Sequence, residues 1–125
     1  MNIDDLKVYT IASQLEVEVF EITNQIEYSW KIAQVYQVKR SSSSVSANIN
    51  EGWSRRFYPK DYIRFLAIAL GSCDETKHHI KVMYNIKCVS EPDYLNLYKK
   101  YKNLSVRILN LINYLKKKYK IYTQI

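Results

Sequence analysis

The residues of this 125-residue chain with the most suggestive chemistry lie around position 75. Glu75 and His78 form a Glu-x-x-His pair, one helical turn apart, the unit from which di-iron helical bundles are built. Such a site needs a second pair and two further glutamates, whereas this chain has two histidines, the adjacent His78 and His79. No bound metal is therefore expected. A helical RNA-cleaving site would set an Arg and a His close together on one helix. The nearest Arg preceding His78 is Arg64, fourteen residues away. No Gly-rich phosphate loop is present, and no Ser or Cys stands in a recognisable nucleophile context. The residues read as a non-enzymatic protein without a cofactor.

Binding chemistry is better represented. Arg55 and Arg56 follow Gly52-Trp53 and precede Phe57 and Tyr58. Guanidinium groups interleaved with aromatic rings can contact phosphates while the rings stack on unpaired bases. Lys99, Lys100 and Lys102, then Lys116, Lys117, Lys118 and Lys120, add a basic stripe. The formal net charge is +7, distributed as −5 over residues 1–27, +4 over 28–93 and +8 over 94–125. A basic end can bind RNA or DNA by releasing counterions. It can equally be a solvated lysine face, or be drawn to the acidic start within an assembly. For Arg55 and Arg56 the competing reading is a salt link to Glu51 or to the acidic first helix.

A third group is polar and periodic. Gln37, Arg40, Ser44, Asn48 and Glu51 recur at spacings of three and four, and so share a helix face. Arg64, Ile68, Gly71, Glu75 and Val82 also fall at helical intervals further on. Arg40, Asn48, Glu51, Arg64 and Glu75 are expected to form one network of charge-assisted hydrogen bonds, within a protomer or across protomers.

The elements that must carry these residues are helices. Two Gly and two Pro, where average usage would give about fifteen, leave too few turns for a β-rich or α/β fold. Periodicity predicts helices over about 4–26, 30–51, 59–88 and 91–120. The first would be capped by Asp4 or Asp5, with Val8, Ile11, Ala12, Leu15, Val19, Ile22 and Ile26 along its stripe. Leu6, Tyr9, Val17 and Phe20 form a second apolar set, pointing either to a homo-oligomer or to singly exposed aromatics. The second helix runs through Ser41-Ser42-Ser43-Ser44, where Val38, Val45 and Ile49 stay in phase, and Gly52 is placed just past its end. Pro59 opens the third, whose stripe is Tyr62, Leu66, Ala69, Cys73, Ile80 and Tyr84. Ser90-Glu91-Pro92-Asp93 opens the fourth as a capping box. The fold class is all-α: one domain, an antiparallel up-down-up-down four-helix bundle.

Three stretches also resemble a known family. Gln37-Val38-Lys39-Arg40 followed by Ser44-Val45-Ser46-Ala47-Asn48-Ile49-Asn50-Glu51-Gly52-Trp53 is similar to a signature of the 23S ribosomal RNA intervening-sequence proteins, also called the four-helix bundle protein family. Arg64-Phe65-Leu66, Ile68-Ala69-Leu70-Gly71-Ser72 and Glu75 resemble its second signature, and Asp5-Leu6-Lys7-Val8-Tyr9 its usual start. Ser46 stands where the family usually has Pro, and Ser41–Ser43 where it usually has Ala. The resemblance implies a four-helix bundle assembled as a homopentamer. It also implies a relationship to the accessory variability determinant proteins of diversity-generating retroelements, which bind nucleic acid and a reverse transcriptase. It carries over no catalytic residue.

Cys73 and Cys88, expected about 22 Å apart on one helix, cannot pair there and read as reduced thiols. The acidic start lacks the apolar core of a signal peptide, and no apolar run is long enough to span a membrane. A cytoplasmic protein is expected.

Overall fold

In a computed structural model, which describes residues 1–26 and 31–122, the chain forms a short 3₁₀ turn and four α-helices. The turn is Ile3–Asp5; the helices are α1 (Lys7–Thr23), α2 (Ile32–Ser54), α3 (Pro59–Asn85) and α4 (Glu91–Lys118). No strand occurs among the described residues. Each helix packs on its neighbour in sequence, and α1 also meets α4, which closes a bundle.

Each helix buries one stripe. Val8, Ala12, Leu15 and Val19 of α1 meet Val38, Val45 and Ile49 of α2, Leu66, Ala69, Cys73 and Ile80 of α3, and Tyr101, Leu104, Ile108 and Ile112 of α4. Burying a side chain of this size removes enough apolar surface to contribute about 1.5–3 kcal/mol. Such burial, rather than intrinsic propensity, holds long helices together in water. The second apolar set on α1 divides. Leu6 and Tyr9 pack against the core, while Val17 and Phe20 stay exposed, with the Lys39 ammonium 5.0 Å above the Phe20 ring.

The serine run is helical and does more than admit a neighbour. Ser41 and Ser42 are fully buried. The Thr76 hydroxyl lies 2.9 Å from Ser41 Oγ and 2.7 Å from the Ser72 carbonyl, and Ser44 Oγ lies 2.9 Å from Ser72 Oγ. On the other side, Ser43 and Ser46 donate to the Glu16 carboxylate at 2.8 and 2.6 Å. A polar seam thus ties α2 to both α1 and α3. Hydroxyls buried this way need partners, and here they have them. Cys73 lies beside this seam, and burial pushes its thiol up to about 12. Both cysteines are free; Cys88 lies in the turn after α3 rather than on the helix.

Helix ends depart from the sequence expectation for identifiable reasons. Asn2, not Asp4 or Asp5, is the capping residue. Its side chain accepts from Asp4 N at 2.8 Å, while the Asp5 carboxylate accepts from Asn2 N at 3.0 Å. That box caps the 3₁₀ turn, and extended Leu6 (ψ 110°) separates it from α1. The start expected for the second helix, at Trp30, lies outside the described residues. Gly52 does not end α2, which continues to Ser54. A Cβ on Gly52 would stand 3.1 Å from Phe65 Cβ and 3.2 Å from Tyr62 Cδ1, so this glycine marks close approach of α2 and α3. Gly71, expected to allow close packing, is exposed, and a Cβ there would meet nothing within 4 Å.

Helices α3 and α4 stop two or three residues early because each closes in a Schellman motif. Lys87 and Lys120 take the left-handed position at φ 62° and 53°. Cys88 N–H then donates to the Met83 carbonyl, and Ile121 N–H to the Lys116 carbonyl, both at 2.8 Å. Ser90 caps α4, accepting from Asp93 N at 3.3 Å, with Pro92 in the first turn.

Candidate nucleic-acid interface

Four residues, Arg55 to Tyr58, join α2 to α3. The loop is tightly folded: Arg55 N–H donates to the Gly52 carbonyl at 3.0 Å and Tyr58 N–H to the Arg55 carbonyl at 2.8 Å. Its underside is Tyr62, buried and edge-on to Trp53 at 6.5 Å between centroids. Burial raises the Tyr62 hydroxyl to about 12, opposed by the nearby Arg56 charge. Phe57 and Tyr58 project outward, 78% and 69% exposed.

The two arginines behave differently. Arg55 makes the salt link weighed as its alternative, with Nε 3.0 Å and Nη2 2.9 Å from Glu51 Oε1. Arg56 has no acidic partner among the described residues. Its guanidinium lies 4.3 Å over the Trp53 ring and 4.7 Å over Phe57, and Nη1 donates to the Trp53 carbonyl at 3.0 Å. Stacked like this, a guanidinium is held in place while its outer N–H groups stay free for an anion.

The end of α4 comes to the same place. Tyr119 and Ile121 join Tyr58, Pro59, Lys60 and Asp61 in lining a cleft of about 480 Å³. The turn at Lys120 is what folds Ile121 back into the core, 8% exposed, against this cleft. Lys118 Nζ sits 5.3 Å from the Tyr119 ring and 5.9 Å from Tyr114. Residues 51–62 and 115–122 together carry seven cations, Arg55, Arg56, Lys60, Lys116, Lys117, Lys118 and Lys120, against Glu51 and Asp61.

Not every candidate joins this cluster. Lys99, Lys100 and Lys102 lie at least fourteen residues before Lys116 on the same helix, about 20 Å away. Lys100 reaches α1 instead, 2.8 Å from Glu18 Oε1. Sequence reasoning missed Lys60, Asp61, Tyr119 and Ile121. Only a left-handed turn at Lys120 creates the cleft, and lysine carries no strong local signal for that conformation.

The five-residue polar network also resolves into separate contacts within the described protomer. Arg40 Nη2 lies 3.4 Å from Glu75 Oε1, joining α2 to α3 as the spacing suggested. Arg64 instead faces Asp61 at 3.9 Å and covers the Phe65 ring at 4.7 Å. Asn48 donates within its own helix to the Ser44 carbonyl at 2.8 Å, and Glu51 pairs with Arg55. Arg64 and Glu75, eleven residues apart on one helix, are separated by about 16 Å. Glu75 faces His79 (3.5 Å) rather than His78, and Gln34 Nε2 lies 3.0 Å from His79 Nδ1. Among the described residues, no three His, Cys, Asp or Glu side chains converge where a metal ion could sit.

The fold and this surface define an all-helical protein of four long helices with a basic, aromatic-studded end and a polar inner seam. The model of the 23S rRNA-intervening sequence proteins matches residues 4–124, and the chain belongs to that family. A crystal structure of a protein of unknown function from the S23 ribosomal protein family of Bacteroides thetaiotaomicron has the same fold, with a TM-score of 0.73 at 21% identity. The alignment covers 84% of this chain and 97% of that one. No curated protein matches the sequence. No described helix is long and apolar enough to cross a membrane.

Proposed function

We propose that this protein is a non-enzymatic, cytoplasmic nucleic-acid-binding protein that holds RNA or DNA with low sequence specificity, as a homo-oligomer of antiparallel bundles, pentameric by family resemblance. The observation that supports binding is the meeting of the Arg55–Tyr58 loop with the last turn of α4 at one end of the bundle. Cations in excess attract the phosphate backbone, and exposed rings beside them offer stacking faces. Repetition around a ring would make individually weak contacts multivalent. Exposed Val17 and Phe20 on α1, and exposed Ile68 beside Gly71 on α3, supply apolar surface for self-association.

A second reading is a protein–protein adaptor, such as an accessory subunit of a reverse transcriptase. It draws on an open groove of about 770 Å³ between α1 and α4, whose lining includes Ile11, Leu15, Leu104 and Val106 beside Lys7 and Arg107. A groove of that character suits an amphipathic helix.

Titration of a labelled single-stranded RNA between about 50 and 200 mM salt separates the two, because phosphate binding weakens steeply over that range and helix docking does not. Reversing Arg55 and Arg56 to Glu together is expected to abolish most of the affinity. Binding that ignores both salt and this reversal would overturn the nucleic-acid reading. Mass measurement in the same solutions tests the oligomer.

A further inference from the structure

We infer that the cleft between the α2–α3 loop and the end of α4 holds a single unpaired nucleobase of the bound strand, and that the Asp61 carboxylate makes guanine the preferred one. The inference rests on the nucleic-acid reading and deepens it. The cleft, about 480 Å³, has aromatic and aliphatic walls in Tyr58, Pro59, Tyr119 and Ile121, with Lys60 and Asp61 its two charged groups. Flat apolar walls suit a base ring, and Tyr58 and Tyr119 come from different elements, so the site exists only in the folded chain. A duplex would not enter, because its bases are already stacked and paired. Lys60 is free to meet a flanking phosphate.

Asp61 lies in the first turn of α3, where the helix N-terminus favours an acid. It is half exposed, and the guanidinium groups of Arg55 and Arg64 stand 3.9 Å away, beyond hydrogen-bond reach. Neither of its oxygens accepts a hydrogen bond from any described residue. An ionised carboxylate only accepts, through two oxygens side by side. Among the four bases, guanine alone presents two parallel donors, N1–H and the 2-amino group. Adenine and cytosine offer one amino group beside an acceptor, and uracil one N–H between two acceptors. Backbone charge therefore sets the affinity, and the cleft adds a preference at one position.

The test is binding of labelled seven-nucleotide RNAs, all uridine except for a central guanosine, adenosine, cytidine or inosine, at fixed low salt. Inosine keeps N1–H and lacks the 2-amino group. Wild-type protein is expected to bind the guanosine strand about fivefold or more tightly than the adenosine or cytidine strand, with inosine between, the discrimination typical of a bidentate base contact. Asp61→Asn removes an exposed side chain's charge, and its fold is checked by circular dichroism. It should equalise the guanosine and inosine strands while binding all-uridine RNA at least as well as wild type. Tyr58→Ala and Tyr119→Ala should each weaken every single strand. Equal affinities across the central bases, or a guanosine preference that survives in Asp61→Asn, would overturn the inference while leaving the nucleic-acid reading intact. If no strand binds, both fall together.

Discussion

The two glycines offer one substitution with two opposite expected outcomes. Gly52 and Gly71 both lie inside long helices, where replacing Gly by Ala gains about 1 kcal/mol from backbone entropy alone. At Gly71 nothing opposes that gain: the position is exposed and a new methyl group meets no atom within 4 Å. Gly71→Ala should therefore stabilise the fold by about 1 kcal/mol, roughly 4 °C in Tm for a domain of this size. At Gly52 the same methyl would press to 3.1 Å on Phe65 Cβ and 3.2 Å on the Tyr62 ring. Phe65 Cβ moves only with the α3 backbone, and Tyr62 is buried at 5% exposure. Overpacking of this kind costs about 1–3 kcal/mol. Offsetting the propensity gain leaves Gly52→Ala destabilising by about 1 kcal/mol. Urea unfolding followed by helical circular dichroism, at two protein concentrations, gives both values. Equal stabilisation by the two variants would refute the account of Gly52 as a close-approach residue. A loss of stability in Gly71→Ala that grows with protein concentration would mean that a second copy covers that face.

Other outcomes follow from the same contacts. Lys87→Gly relieves a left-handed non-glycine residue at a helix end and should stabilise by about 1 kcal/mol, read from the urea midpoint; no gain would mean that the turn carries no strain. Stability should fall as pH rises from about 9 to 12. Burial raises the Tyr62 hydroxyl and the Cys73 thiol to about 12 and raises Tyr101 as well, so the unfolded chain releases these protons first. Each such group contributes a slope of up to about 1.4 kcal/mol per pH unit. Helicity should be lost over this range, and a flat profile to pH 11.5 would contradict the burial. In double-mutant cycles Arg40 and Glu75 should couple by at most about 1 kcal/mol, being largely exposed, while Arg64 and Glu75 should be additive.

The all-helical class was readable because it depends on local quantities. Scarce Gly and Pro leave few turns, and apolar residues stepping by three and four define one buried face per helix, as Val8, Ala12, Leu15 and Val19 do on α1. Pro59 and Ser90 were equally legible, since helix starts depend on neighbouring backbone groups. Arg40 and Glu75 were placed on facing helices by spacing alone, yet the wider network failed: periodicity gives a residue its face but not its height against the next helix. Heights decided that Glu16 of α1 receives two serine hydroxyls from α2, while Arg64 meets Asp61 one turn away on its own helix.

Left to itself, the sequence determined which segments are helical, which stripe of each is buried, and how charge is divided along the chain, because these follow from side-chain type and periods within one element. Tertiary structure decided the rest. Gly52 reads as a helix stop until Phe65 and Tyr62 are seen against it. Two basic clusters sixty residues apart in the chain become one surface, divided by a cleft that holds Asp61, because a left-handed Lys120 turns Ile121 back toward the start of α3. Close approach, the height of one helix against another and the convergence of distant segments are set by the packing of the whole chain, and no local pattern encodes them.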